Sequence, residues 1–178
     1  MDICQLILDD HAEQRRLFGL IEQIDPNNTD ALSAVWTRLA AFLDAHAEAE
    51  ERHFYPDLLK KGEGANDADD GTVEGETEDA IEDHNKLRDA VKAVEQHKVG
   101  SKAWIDAVGE ANVVNSKHMG EEERQGLTDF RRNVSLKDRH DLGVKYAAFQ
   151  ARHITGVKPV NKDVEDYIDT HSQARSAR

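Results

Sequence analysis

The strongest constraint on the fold is a helical stripe in which polar side chains interrupt an apolar pattern. Residues on this stripe, within the segment 32–58, recur at alternating steps of four and three, which is the spacing of one buried helix face. The stripe contains Leu32, Trp36, Leu39, Leu43, His46 and Glu50, followed by His53 or Phe54 and by Asp57 or Leu58. A buried carboxylate costs several kcal/mol unless it is paired or binds a metal. The fold must therefore bring partners to His46 and Glu50.

Helix-forming sequence fills most of the chain, because proline occurs only three times, at Pro26, Pro56 and Pro159. Alanine, leucine, glutamate, arginine and lysine dominate the long stretches between these prolines, and these residue types favour helix. We predict four long helices and a shorter fifth one, at about residues 2–24, 29–59, 76–97, 101–133 and 135–152. No segment shows the alternation of a strand. The expected fold class is all-α, an antiparallel four-helix bundle.

Two segments lie outside these helices. We predict a bundle domain over residues 1–155 and a polar C-terminal tail over residues 156–178, with room for one short extra helix in the tail. The acidic, glycine-rich segment 61–75 is the longest predicted loop. An EF-hand loop counted back from Gly71 would need acids where Asn66 and Ala68 stand, so we reject a calcium site there.

The composition excludes several classes of partner. Asp and Glu number 36 against 23 Lys and Arg, for a formal net charge of −13, which argues against binding nucleic acid or an anionic membrane surface. No apolar stretch approaches the roughly 18 residues that span a bilayer. The N-terminus carries acids where a signal peptide carries basic residues. Cys4 is the only cysteine, which excludes a disulfide framework and a thiolate cluster. We expect a cytoplasmic protein, and the sequence identifies no protein partner.

Every helix of the predicted bundle places a histidine on its inward face. These histidines are His11, His46, His84 and His118, and glutamates follow two of them by four residues, at Glu50 and Glu122. Residues four apart lie about 5–6 Å from each other on one helix face, so an imidazole can bind one metal while the carboxylate reaches a second. Four imidazoles and two carboxylates suit iron or manganese better than calcium or a structural zinc.

The other histidines are weaker candidates. A single inward histidine is more often a hydrogen-bonded core residue than a ligand, but four such histidines with two matched glutamates are hard to explain by chance. His53 lies on nearly the same face as His46, and we predict a role other than metal ligand for it. Tyr55 is close enough in sequence to reach the end of the site, and Cys4 is expected to be a small core residue. The remaining four lie near helix ends or in polar sequence, and we expect their side chains to be solvated. They are His97, His140, His153 and His171.

This combination of motifs resembles the hemerythrin-like domains, also called HHE cation-binding domains. The segment HAEAEERHFYPDL, residues 46–58, is similar to the second-helix signature of that family, and the resemblance covers roughly residues 2–133. It implies a four-helix bundle around a nonheme di-iron centre, with the two glutamates bridging the irons. The implied metal ligands are His11, His46, Glu50, His84, His118 and Glu122. Ferritin-like proteins need a Glu-xx-His pair on each of two helices, and only Glu50 with His53 fits that pattern.

Two positions depart from the oxygen-carrying hemerythrins. Those proteins have a second histidine on the third helix, where Ala80 stands here, and their last carboxylate lies five residues after the final histidine, which is Glu123 here. On an ideal helix, residue 122 lies about 40° from residue 118 and residue 123 about 140° away, so we choose Glu122. Two octahedral metals offer about twelve positions. The six ligands and an oxo or hydroxo bridge leave about two of them open, for dioxygen, peroxide or nitric oxide.

These observations leave three classes of function open. The first is an enzyme that reacts with oxygen or peroxide, for instance with catalase-like activity in oxidative stress. The second is a non-enzymatic carrier or sensor of oxygen, nitric oxide or iron. The third is a helical interaction domain without a metal. An open position at Ala80 favours reactivity over reversible carriage. We also expect the two glutamates to repel each other when no metal is bound, so that replacing one by glutamine stabilises the metal-free protein.

Overall fold

A computed structural model of the protein describes residues 1–64 and 71–172, and every regular element in these ranges is a helix. The eight helices are α1 (Ile3–Gln23), α2 (Thr29–His53), α3 (Tyr55–Lys61), α4 (Val73–Glu95), α5 (Lys102–Arg124), α6 (Gly126–Asn133), α7 (Leu136–Arg152) and α8 (Val164–Ser172). The predicted all-α class is confirmed. Asn66 and Ala68, on which the rejection of calcium rests, and residues 173–178 of the predicted tail lie outside the described residues.

Helices α1, α2, α4 and α5 form a four-helix bundle in which each helix packs against two others. A polar side chain at each N-terminus accepts a hydrogen bond from a backbone N–H of the first turn. These caps are Asp2, Asn28, Thr72 and Ser101. They satisfy donors that the first turn of a helix cannot pair internally. Short connections make α1 and α2, and likewise α4 and α5, antiparallel neighbours.

The second predicted helix is broken in two. The sequence predicts one helix over residues 29–59, but α2 ends at His53 and α3 begins at Tyr55. Pro56, in the first turn of α3, has no N–H with which to continue the hydrogen bonds of α2. The continuous helix is therefore wrong. Because of the break, Tyr55 starts a new helix with its side chain buried in the core.

The fourth predicted helix is broken in the same way. The sequence predicts one helix over residues 101–133, but α5 ends one residue before Gln125 and α6 begins at Gly126. A Cβ atom at Gly126 would lie 3.3 Å from a methyl group of Leu58 and 3.6 Å from the Phe54 ring. Glycine here lets α6 approach the junction of α2 and α3 closely. Both breaks follow shortly after a histidine–glutamate pair and close one end of the bundle.

The last two helices are part of the packed structure. Helix α7 packs on α1 and α2, and α8 packs on α3 and α4. Tyr146 and Phe149 of α7, with Tyr167 and Ile168 of α8, are buried in an apolar cluster at one end of the bundle. The division of the chain at residue 155 into a bundle domain and a tail stays a prediction. Within the described residues, no helix is both long enough and apolar enough to cross a membrane.

The apolar core consists of two clusters with buried polar residues between them. One cluster lies at the α3, α6, α7 and α8 end and includes Ile7, Ala49 and Tyr55. The other lies at the opposite end and includes Leu17 and Leu43. On α1 and α2, the residues between these positions include His11 and His46, both buried. The fold therefore places a polar layer across the middle of the bundle.

Candidate metal centre

The six residues that the sequence singles out lie in this polar layer, and the exposed fraction of each is at most 5%. His11 comes from α1, His46 and Glu50 from α2, His84 from α4, and His118 and Glu122 from α5. Side chains from all four bundle helices thus converge, as the stripes predict.

Glu50 lies at the middle of this arrangement. Its Oε1 is 3.0 Å from His46 Nε2, and its Oε2 is 3.3 Å from His84 Nε2. His84 Nε2 is in turn 3.0 Å from His118 Nε2. One oxygen of Glu50 therefore faces a histidine of α2 and the other faces a histidine pair of α4 and α5.

Glu122 completes the arrangement on the side of α1. Its Oε2 lies 3.2 Å from His11 Nε2, and its Oε1 accepts a hydrogen bond of 2.7 Å from the Tyr55 hydroxyl. The Tyr55 ring is buried, and burial together with the negative charges of Glu122 and Glu50 holds its pKa well above the usual range. Tyr55 therefore acts as a neutral donor to one oxygen of Glu122 and leaves the other oxygen facing His11.

Two groups of donor atoms in the described part of the chain have the closeness that a metal ion needs. The first is His11, His46 and Glu50, and the second is Glu50, His84 and His118. Within each group the ligand atoms lie within 4.8 Å of one another. The two groups share Glu50.

Three of the four histidines meet a carboxylate through the nitrogen that faces away from the centre. His11 Nδ1 is 3.0 Å from Glu123, His46 Nδ1 is 3.2 Å from Asp10, and His84 Nδ1 is 2.9 Å from Glu51. A carboxylate that accepts a hydrogen bond from Nδ1–H orients the ring with Nε2 toward the centre, where it can bind a metal once it is deprotonated. Metal-binding histidines are commonly oriented in this way.

Charges around the centre shift the pKa values of its histidines in opposite directions. Burial disfavours the charged form of His46, but Glu50 and Asp10 outweigh it and raise its pKa to about 10. Burial also acts on His84, and there Glu50 and Glu51 raise the pKa to about 9. For His118, burial and the neighbouring His84 hold the pKa well below its usual range.

The expected repulsion between the two glutamates is not what the structure shows. Glu122 is buried, which alone would raise its pKa, but His11, whose Nε2 lies 3.2 Å from Glu122 Oε2, lowers its pKa to about 2. Glu50 likewise lies between His46 and His84. Each carboxylate thus lies close to histidine nitrogens, because residues from different helices interleave in a way that the spacing of one helix does not reveal.

The donor set fits a bound cation. Among the described residues, several buried atoms of the centre have no partner with hydrogen-bond geometry: His11 Nε2, His46 Nε2, both carboxylate oxygens of Glu50, and Glu122 Oε2. Buried polar atoms are normally satisfied, and a cluster of buried nitrogen and oxygen atoms without such partners is what a metal site offers. Nitrogen and oxygen donors without thiolate suit a first-row metal such as iron or manganese.

Comparison with models of protein families matches residues 2–128 to the hemerythrin HHE cation binding domain. The chain belongs to this family. The match includes all six residues of the centre, so the resemblance seen in the sequence is confirmed and the hemerythrin-like domain is a cation-binding one. Comparison with curated proteins and with solved structures gives no significant match.

The other histidines of this hemerythrin-like protein lie away from the centre. His53 is half-buried and packs edge-on against Phe149, with ring centroids 5.9 Å apart. His97 and His140 are exposed. The Nδ1 atom of His153, which directly follows α7, hydrogen-bonds the carbonyl of Phe149, and that of His171 hydrogen-bonds the carbonyl of Tyr167. None of these five belongs to either donor group among the described residues.

The two positions at which the sequence departs from the oxygen-carrying hemerythrins are Ala80 and the choice between Glu122 and Glu123. Glu122 faces the centre, whereas Glu123 bonds His11 Nδ1 from outside and pairs with Arg15 at 2.7 Å. Ala80 is buried and lines a cavity of about 20 Å³ beside His118 and Glu122. That volume accommodates about one water molecule.

Sequence reasoning did not predict the carboxylates that meet the outer histidine nitrogens, and it considered Glu123 only as a metal ligand. Asp10, Glu51 and Glu123 each directly adjoin a donor residue in the chain, at His11, Glu50 and Glu122. Repeated acids beside the donors were a signal that could have found them. Tyr146, on α7, offered no such signal, because its contact with His46 spans 100 residues of sequence.

Proposed function

We propose that this centre holds two iron ions and binds a small oxygen ligand, dioxygen or peroxide, with which it reacts. The observation that carries the proposal is the position of Glu50 between two donor groups, with one oxygen toward His46 and the other toward His84. A single-ion site would not need a carboxylate shared in this way. Iron, when bound, supplies Lewis acidity and one-electron redox chemistry.

The surroundings of the centre favour a very small ligand. The six donors are buried, and the cavity lined by Ala80, His118 and Glu122 measures about 20 Å³. A space of about one water molecule admits diatomic molecules or peroxide and excludes an organic substrate. Nitric oxide fits the same space and is the third candidate ligand.

The chain's own residues prepare the donors. Glu51, Asp10 and Glu123 hold the outer nitrogens of three histidines, which turns each Nε2 toward the centre and raises its basicity as a ligand. Tyr55 hydrogen-bonds one oxygen of Glu122 and leaves the other free of hydrogen bonds. These contacts fix the orientation of the donors before a metal arrives.

Metal analysis tests the proposal directly. We expect about two irons per chain in freshly purified protein, and a visible absorption band in its oxidised form. One zinc ion, or no metal, would contradict the di-iron proposal. With iron present, consumption of hydrogen peroxide by the wild-type protein supports the enzyme class.

The alternative function is a reversible oxygen carrier or a sensor. It is favoured if the iron-loaded protein binds and releases oxygen reversibly and shows no peroxide chemistry. Exchange of azide, followed by its effect on the absorption spectrum, reports in either case whether an exogenous ligand reaches the centre. The predicted cytoplasmic location and the expectation of no nucleic-acid partner stay predictions.

A further inference from the structure

Residues beyond the family domain contact the outer carboxylates of the centre. The match to the family ends at residue 128, whereas α7 and α8 lie beyond it. Two sets of polar side chains from this region reach inward. We call Tyr146 and Gln150 the α7 arm, and Lys162 and Tyr167 the C-terminal arm.

The α7 arm contacts His46 and its carboxylate partner. The Tyr146 hydroxyl donates a hydrogen bond of 2.7 Å to Asp10 Oδ2 and lies 2.8 Å from His46 Nδ1. Gln150 donates its amide N–H to the same oxygen of Asp10. The Tyr146 side chain is fully buried. Asp10 is thus held from α7 while it faces His46.

The C-terminal arm contacts Glu51, the carboxylate that faces His84. Lys162 Nζ lies 3.2 Å from Glu51 Oε2 and 2.9 Å from Glu48 Oε2. The Tyr167 hydroxyl donates to the backbone carbonyl of Glu51. Arg88, from α4, donates to Glu51 Oε1 at 2.8 Å, the oxygen that also meets His84 Nδ1.

The backbone of this arm is itself fixed to α4. Asn85 donates its side-chain N–H to the carbonyl of Lys162 and accepts the backbone N–H of Lys162, at 2.8 and 3.0 Å. Asn85 is the residue next to His84 in the chain. The position of Lys162 is therefore set relative to the histidine that it influences through Glu51.

We propose that the two arms are positioning devices for the metal centre, one for each donor group. Tyr146 and Gln150 orient His46 through Asp10, and Lys162 and Tyr167 orient His84 through Glu51. The inference rests on the proposed metal centre and adds to it that residues outside the family domain determine how firmly each ion is held. Loss of such outer contacts typically costs 10–100-fold in metal affinity.

The test uses cobalt(II) as a probe, because its absorption spectrum reports the ligand field and its use does not depend on whether the resident metal is iron. Full-length wild type, Tyr146→Phe and Lys162→Met are loaded with Co²⁺, and its release into excess chelator is followed. We expect each variant to release one of its two ions about 10–100-fold faster than wild type, with a changed cobalt spectrum. The second ion should leave at the wild-type rate, because each arm contacts only one donor group.

Matched variants separate positioning from general stability. Phe149→Leu removes apolar packing from the same helix as Tyr146 without touching Asp10, and Lys158→Met removes an exposed charge four residues before Lys162. Both should keep the wild-type release rate and spectrum, even where the melting temperature falls. Lys162→Arg keeps the positive charge beside Glu51 and should restore slow release.

The outcomes distinguish this inference from the proposed function. Release at the wild-type rate from both Tyr146→Phe and Lys162→Met overturns the inference, as does equal acceleration in Phe149→Leu and Lys158→Met. Wild type that binds two cobalt ions but does not carry two irons contradicts the di-iron proposal and leaves the comparison of arms valid. Wild type that binds no cobalt at all overturns both.

Discussion

Raising the pH from 7.0 to 8.5 should strengthen metal binding steeply, although ordinary histidine sites no longer respond in that range. Before a metal binds, the carboxylates around His46 and His84 hold the pKa values of these residues at about 10 and about 9. Both histidines are therefore protonated at neutral pH. Because a metal needs the neutral imidazole, each ion must displace one proton.

The magnitude follows from these protons. One displaced proton changes an affinity tenfold per pH unit below the pKa of the group. His46 belongs to one donor group and His84 to the other, so each ion should bind about tenfold more tightly per pH unit, and the product of the two affinities should rise about 100-fold. Histidines with an ordinary pKa near 6.5 would change that product by less than about 1.5-fold between pH 7.5 and 8.5.

The assay is a competition between the protein and a chelator of known affinity for Co²⁺ at four pH values between 7.0 and 8.5. Calorimetry in buffers of different ionisation enthalpy independently counts the protons released. We expect about two protons for two ions at pH 7.5. Asp10→Asn keeps a hydrogen-bond acceptor near His46 but removes one of the two carboxylate charges that raise its pKa, so the pH dependence for one ion should become shallower toward pH 8.5.

A flat affinity profile above pH 7.5 together with no proton release would refute this reasoning. It would mean that both histidines are neutral before the metal binds, and that Glu50 does not share its charge between them. A steep profile that Asp10→Asn leaves unchanged would show that the charge of Asp10 does not set the pKa of His46.

Three further predictions concern single residues. Ala80→His should overpack the cavity of about 20 Å³ and lower the free energy of unfolding by about 1–3 kcal/mol. It should also suppress peroxide consumption while metal analysis still finds about two irons. The control is Ala80→Val, which adds bulk without a ligand. Glu122→Gln should lower the free energy of unfolding of the chelator-treated protein in urea at pH 7 by about 1–3 kcal/mol. The lowered pKa of Glu122 means that folding stabilises its ionised form, and this contribution is present above pH 4.5 and is lost as the pH falls toward 2. Equal or greater stability of the variant would restore the repulsion hypothesis. Asp129→Ala should lower the melting temperature by several degrees without metal loss, because the buried carboxylate accepts the backbone N–H groups of residues 63 and 64.

The helical periodicity predicted the bundle and the burial of the six candidate metal ligands. Alternating steps of three and four place side chains on one face regardless of what packs against it, so His11, His46, His84 and His118 could be assigned to the core from the sequence. The i to i+4 spacing likewise placed Glu50 and Glu122 beside their histidines, and the helical angle selected Glu122 over Glu123, which the structure orients away from the centre.

Tertiary structure alone decided the electrostatics and the outer contacts. Whether two buried glutamates repel each other or pair with histidines depends on the relative height and rotation of separate helices, which no local pattern encodes. The breaks at Phe54 and Gln125 arise where α3 and α6 pack together. The arms from α7 and α8 reach Asp10 and Glu51 across more than 100 residues of sequence. Periodicity fixes which face of a helix is inward, but only packing fixes which atoms meet there.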